Sequence, residues 1–312
     1  MAAKKKMSKT SRSKKQHTPD FYPVQRTIPL SGTIAGNGGL VTGTMVADAG
    51  RLLSNVNRRL YRYGNLYQIK LDLDNVTAAI DTSFDIEVFA LRNNWDVQRA
   101  YALAKKVYDE AYEDELKATG SANLARWRDF RVSDGVSGAV DLFPVRRDSA
   151  SLTRVIDDNG EFVLSAVDDG GTEKFFTWGN ASASSIDITN EWTQAGRTAA
   201  DPAVISTTAP YAGVNSDGMS DIEHQNLGND GNNPPYDDQA VTDQLYRVAT
   251  LRYEATPTQG LGLQRLSTGY FDAPCGLFVI RVTSGVNLGS GTISMTVKSG
   301  DYKGVHAKGM CQ

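Results

Sequence analysis

The sequence predicts a mainly β protein: an antiparallel β-sandwich with one or two helical insertions, carried behind a mobile basic N-terminal arm. Three observations lead there. Short apolar runs of period two, parted by Asp-Gly and Asn-Gly turn signals, fill most of the chain beyond residue 64. Helical periodicity is confined to two stretches and does not alternate with the strands, which disfavours a βαβ array. Residues 1–16 hold seven bases and no acid.

Composition agrees. Of 312 residues, 40% are hydrophobic, enough to fill a core, and 29 are glycine, which suits many turns. All-β folds often run to ~200–250 residues as one domain. The expected organisation is a disordered basic arm over 1–20, an extended linker over 21–46, and one body over 47–312 with a long surface insertion at 194–241. The arm is mostly Lys, Ser and Thr, and with almost no apolar content it cannot offset its own ordering entropy. Pro19, Pro23, Pro29 and the Gly-rich SGTIAGNGGLVTG over 31–43 mark the connector.

The elements follow in order. Asp48 is a good N-cap for a first helix, in which Leu52, Val56 and Leu60 repeat at i, i+4 and i+8 with Leu53 alongside. Gly64 stands where a left-handed C-terminal residue is wanted. Arg51, Arg58, Arg59 and Arg62 make this helix basic. Tyr67, Ile69, Leu71 and Leu73 alternate with Gln68, Lys70, Asp72 and Asp74, a half-buried strand, and Phe84–Leu91 alternates likewise. The period then lengthens. Val97, Tyr101, Ala104, Tyr108, Ala111 and Leu116 fall at helical steps between Trp95 and Thr119, with Asn94 placed to cap the helix and Gly120 to end it. Beyond Gly135, strands are expected over 136–143, 161–167, 174–178, 184–192, 245–254, 277–283 and 292–298. The stretch 194–241 has no clear period and belongs on the surface. The run Leu277–Val282 is apolar except for Arg281, so it reads as a central strand covered on both faces, with Cys275 a small packed residue before it.

Catalytic chemistry has little to stand on. His17, His224 and His306 lie in the arm, the insertion and the C-terminal tail, none beside a cysteine or carboxylate at a motif spacing, and all three read as solvent-exposed. No GxSxG, HExxH or phosphate loop ending in Gly-Lys-Ser/Thr occurs. The chain therefore reads as a non-enzyme. Cys275 and Cys311 match no zinc spacing and are expected as free thiols. Asp157/Asp158, Asp168/Asp169 and Asp237/Asp238 are candidate Ca²⁺ ligands, since a hard cation wants several converging oxygens; the same pairs suit ordinary hairpin turns. No other cofactor is expected. No 18-residue apolar run occurs, so no membrane partner is expected. No apolar stretch follows the N-terminal lysines, so that segment does not read as a secretory signal.

The arm is the strongest functional feature. Lys4, Lys5, Lys6, Lys9, Arg12, Lys14 and Lys15 are the candidate nucleic-acid-binding residues. The whole chain carries −3, so the remainder behind these seven charges carries −10. A basic tail on an acidic body points to the tail as the part that meets a polyanion. Seven phosphate contacts on a single strand imply a log–log salt slope of about −5, or about three decades of affinity between ~50 and ~200 mM. No aromatic lies among these bases, so base stacking is not expected there. A nuclear-localisation signal or a solubility tail would have the same composition. Arg58, Arg59 and Arg62 either extend the positive surface inward or form a solvated helix face against the acidic body.

This order of features, a basic arm, a linker, then a strand-rich body with a helical insertion, resembles the single jelly-roll capsid protein of small icosahedral viruses. LLSNVNRRLYRYGNLYQIKLDLD (52–74) and STGYFDAPCGLFVIRV (267–282) are similar to segments in capsid proteins of eukaryotic circular single-stranded DNA viruses. The arm departs from that pattern, being short and Lys-dominated where many of those are longer and Arg-dominated. A positive-strand RNA virus capsid is therefore the neighbouring reading, and a nucleic-acid-binding protein that forms no shell is the reading from a different class. The resemblance implies a viral jelly roll that self-assembles into an icosahedral homo-oligomeric shell and packages a genome, single-stranded DNA in the first reading. It further implies a host receptor as a partner, and a place in the virion and, during assembly, in the host nucleus or cytoplasm.

Overall fold

The computed structural model describes residues 23–33, 43–76, 83–120, 127–136, 139–146, 154–156, 162–169, 171–179, 182–192, 245–254, 264–283 and 292–310. The arm over 1–20, the insertion over 194–241, His17, His224, Asp157, Asp158, Asp237, Asp238 and Cys311 lie outside the described residues. In chain order the elements are β1 (Thr27–Thr33), β2 (Thr44–Asp48), α1 (Ala49–Asn57), β3 (Asn65–Val76), β4 (Ser83–Leu91) and α2 (Trp95–Thr119). Then come β5 (Val140–Asp141), β6 (Val145–Arg146), β7 (Arg154–Val155), β8 (Ala166–Asp169), β9 (Thr172–Thr177) and β10 (Ser185–Asp187). The last are β11 (Leu245–Glu254), β12 (Gln264–Pro274), β13 (Leu277–Thr283), β14 (Thr292–Val297) and β15 (Ala307–Gly309).

Two curled sheets carry the molecule, and the fold is mainly β with the sheets stacked as a sandwich. One has the order β1-β14-β3-β12, with β15 also on β3; the other has the order β11-β4-β13-β2-β5. Leaving aside the short β5 and β15, the eight strands pair first with last. β1 pairs β14, β2 pairs β13, β3 pairs β12 and β4 pairs β11, each antiparallel. A chain folded double and then rolled on itself has this nesting.

The pleat explains the burial. Ile28, Ile69, Leu71, Leu73, Phe271, Ile293 and Met295 of the first sheet meet Met45, Ile86, Val88, Phe278, Ile280 and Val282 of the second in one core. The alternate residues of the second sheet face outward, yet Val46, Leu91, Leu277 and Val279 are buried too. They are covered by Val97, Ala100, Tyr101 and Ala104 of α2 and by Phe130, Val132, Phe176 and Trp178. This second cover is why β13 reads as nearly continuous apolar sequence. It lies between β4 and β2, and among the described side chains of Leu277–Val282 only Arg281 is exposed. Cys275 is fully buried, its thiol 3.5 Å from the Met310 sulfur.

Several boundaries differ from the sequence reading. The stretch taken as a linker over 21–46 contains β1 and most of β2. β1 is an edge strand with two inward apolar residues, Ile28 and Leu30, and Pro29 between them, a pattern short enough to pass for a connector. α1 ends at Asn57 and not near Gly64: the Asn57 side chain donates to the Leu53 carbonyl at 3.1 Å, and Arg58 takes the left-handed conformation at φ 53°. Gly64 serves another purpose, since a Cβ there would stand 2.4 Å from the Tyr101 hydroxyl. Over 136–192, β5, β8 and β10 are shorter than the strands expected there. Helix begins at 188 because the Asp187 carboxylate accepts from the Thr189 and Asn190 N–H groups, an N-cap geometry.

Candidate nucleic-acid interface

The described chain begins beside the C-terminal end of α1. Asn57 holds it there twice, accepting from the Gln25 N–H at 2.8 Å and donating to the Gln25 carbonyl at 3.1 Å. The Arg26 carbonyl accepts from the Val297 N–H at 3.0 Å, at the end of β14. The seven bases of the arm lie outside the described residues; these three bonds fix where the described chain begins.

Arg58, Arg59 and Arg62 sit at this same corner. They do not line a helix face. Arg58 is the left-handed cap of α1 and the other two lie on the segment that leads into β3. That segment is anchored from below. The Tyr61 N–H donates to Ser54 Oγ at 2.8 Å, and Ser54 Oγ donates to the Gly50 carbonyl at 2.6 Å. Tyr61 is buried, and its hydroxyl donates to the Lys303 carbonyl at 3.1 Å. The Tyr302 ring meets the Tyr61 ring edge-on at 6.1 Å, and its hydroxyl accepts from the Arg62 N–H at 3.2 Å. Lys303 donates to the Leu60 carbonyl and lies over both rings, 5.8 Å from Tyr61 and 5.3 Å from Tyr302. Burial raises the Tyr61 hydroxyl's affinity for its proton, and the Arg59 charge acts against it.

Arg58 and Arg62 are exposed, as are Arg26, Lys298 and Lys308 on the neighbouring strand ends. Asp301, next to Tyr302 in the chain, is exposed as well. Arg62 is partly neutralised by Asp129, 3.7 Å away and buried. Burial pushes the Asp129 carboxyl above the ordinary carboxylate range, against the hydrogen bond from the Tyr63 N–H and the nearby Arg131 and Arg62 charges. The corner is thus net positive, with charges on rigid strand ends and turns. It can hold phosphate oxygens by charge-assisted hydrogen bonds, which position a polyanion without reading its sequence. Of its members the sequence singled out Arg58, Arg59 and Arg62. It missed Arg26, Lys298, Tyr302, Lys303 and Lys308, which come from the two far ends of the chain and meet only through the sheet order.

Three other features are structural. Asp48 caps α1, accepting from the Gly50 N–H at 2.7 Å and the Arg51 N–H at 3.2 Å, and pairs with the buried Arg131. Asp168 accepts from the Gly171 N–H at 2.8 Å, so Asp168/Asp169 end β8 where it turns into β9, and among the described residues no three His, Cys, Asp or Glu side chains gather as metal ligands. His306 is half-buried, its N–H on the Lys298 carbonyl at 2.7 Å, where sequence had placed it in solvent. Among the described residues no helix is long and apolar enough to cross a membrane. No family model, no curated protein and no solved structure matches the chain.

Proposed function

We propose that this chain is a non-enzymatic capsid protein: a viral jelly roll that self-assembles into an icosahedral shell and packages a nucleic-acid genome through its basic N-terminal arm. The observation that carries the reading is the strand nesting. Eight antiparallel strands paired first with last, four to a sheet, are the winding expected of a jelly roll, a fold recurrent in viral shells and in lectin and cupin domains. Among those uses, the charge layout favours a shell. The sequence puts seven bases in residues 1–16, and the described chain begins at a corner that carries Arg58, Arg59, Arg62 and Lys303, while the remainder of the chain is acidic. One positive end can then face a genome inside a closed shell and the acidic remainder can face solvent. Single-stranded DNA is the genome the resemblance favours. The protein would reside in the virion and, during assembly, in the host nucleus or cytoplasm, with a host receptor as a further partner.

The test is deletion of residues 1–16 from the full chain, with nucleic acid measured by the ratio of absorbance at 260 and 280 nm in purified particles. The expected result is particles whose nucleic-acid content falls sharply. Unchanged content in the truncated particles would remove the arm's role.

A further inference from the structure

Helix α2 buries only Val97, Ala100, Tyr101 and Ala104, all in its first ten residues. Its opposite face carries Arg99, Leu103, Lys106, Val107, Glu110, Glu113 and Asp114, spaced three and four apart along one side, and all are exposed. Leu103 and Val107 are 37% and 45% exposed, an apolar pair at i and i+4 with no cover among the described residues. Between Arg99 and Asp114 the bases Arg99 and Lys106 come first and the acids Glu110, Glu113 and Asp114 follow; Lys117 closes the face, pairing with Asp114 at 3.0 Å as Lys106 does with Glu110 at 3.8 Å.

Over Arg99–Asp114, the part that overlaps when Leu103 meets Val107, the face is basic first, acidic last and apolar between, which is complementary to a second copy of itself running the opposite way. A parallel copy would set like charge on like. We propose that α2 pairs antiparallel with α2 of a second copy of this chain across a twofold axis, Leu103 of each helix lying against Val107 of the other. In that register Arg99 reaches Glu110 and Asp114 of the second helix, and the contact is isologous, one patch serving both sides. The apolar part is only four side chains, well short of the ~800 Å² per partner of a standard stable interface. Pairing is therefore weak in isolated subunits and is reinforced where other contacts hold the copies together, and for that reinforcement it rests on the self-assembly proposed above.

The experiment mixes two full-length single variants, Leu103→Cys and Val107→Cys, and oxidises them beside each variant alone and the unmodified chain. Both side chains are exposed, so folding is preserved, and circular dichroism checks this. The mixture is expected to give several-fold more cross-linked dimer than either variant alone. Adding Arg99→Glu should lower that yield, and Glu110→Arg in the same chains should restore it. Equal or greater yield from either variant alone, or no restoration by the second charge change, would overturn the antiparallel pairing. The two proposals fail separately. Cross-linked pairs without particles leave the helix contact standing and remove the shell. Particles formed at full yield by a Leu103→Asp, Val107→Asp chain leave the shell standing and remove the helix contact.

Discussion

Replacing Phe278 by alanine tests the architecture at its centre. Phe278 is fully buried on β13, between β4 and β2, and its ring faces the first sheet across the sandwich core. The loss has two parts, the transfer energy of the ring and the cavity left behind, and Phe→Ala changes in cores cost about 3–5 kcal/mol. The upper part of that range applies here. β13 is held in register on both sides, to Ala47 of β2 and Ala90 of β4 at this position, so the backbone cannot collapse into the space. For a body of this size each kcal/mol lowers Tm by roughly 2–4 °C, so subunit melting should fall by roughly 10–20 °C at a loss of about 5 kcal/mol. Urea unfolding of the subunit gives the free energy directly through the midpoint shift at constant slope. A loss under about 1 kcal/mol would mean that the ring is not enclosed as described, and would refute the packing argument.

Three further outcomes follow from single side chains. Gly64→Ala places a Cβ 2.4 Å from the Tyr101 hydroxyl and should cost about 1–3 kcal/mol by overpacking, read as a lowered urea midpoint; an unchanged midpoint would show that α2 shifts freely. Asp48→Ala strips the cap of α1 and leaves the buried Arg131 guanidinium without its carboxylate, so a loss of about 3–5 kcal/mol is expected, and a loss no larger than a lone cap's ~1 kcal/mol would show the ion pair to be inconsequential. Asp129 has a folded proton affinity raised above the ordinary carboxylate value of 3.8, chiefly by burial, so the native state holds a proton that the unfolded chain has already released. Its contribution to stability is present below that value and is lost as pH rises through the raised one. Asp129→Asn should therefore gain on the unmodified chain as pH rises above about 4 in urea titrations, and parallel stability curves would contradict this.

How much was legible before the structure differed by element. α2 was read to the residue because it has a cap at each end, Asn94 and Gly120, and β11 was legible although a register shift between Arg247 and Ala249 interrupts its alternation. β13 was legible from an absence of alternation, since both its faces are covered. β12 went unread. Its alternation is interrupted where the register shifts between Ser267 and Tyr270, and Gly269 there takes φ 72°, so period two is lost just where a bulge restores the pairing. β1 was lost inside a Gly- and Pro-rich stretch because an edge strand needs only a few apolar residues. The candidate interface was half legible. Arg58, Arg59 and Arg62 stood out as a local cluster, whereas Arg26, Lys298 and Lys303 come from the two far ends of the chain, Lys303 bonding the Leu60 carbonyl across 243 residues, through pairings no local pattern encodes.

The central claim is self-assembly around nucleic acid, and the most direct test is the mass of the expressed full-length protein, measured by analytical sedimentation with and without nuclease treatment. The proposal predicts large particles of uniform mass that carry protected nucleic acid. A protein that stays a monomer or dimer across salt and pH, with or without nucleic acid bound, would contradict it.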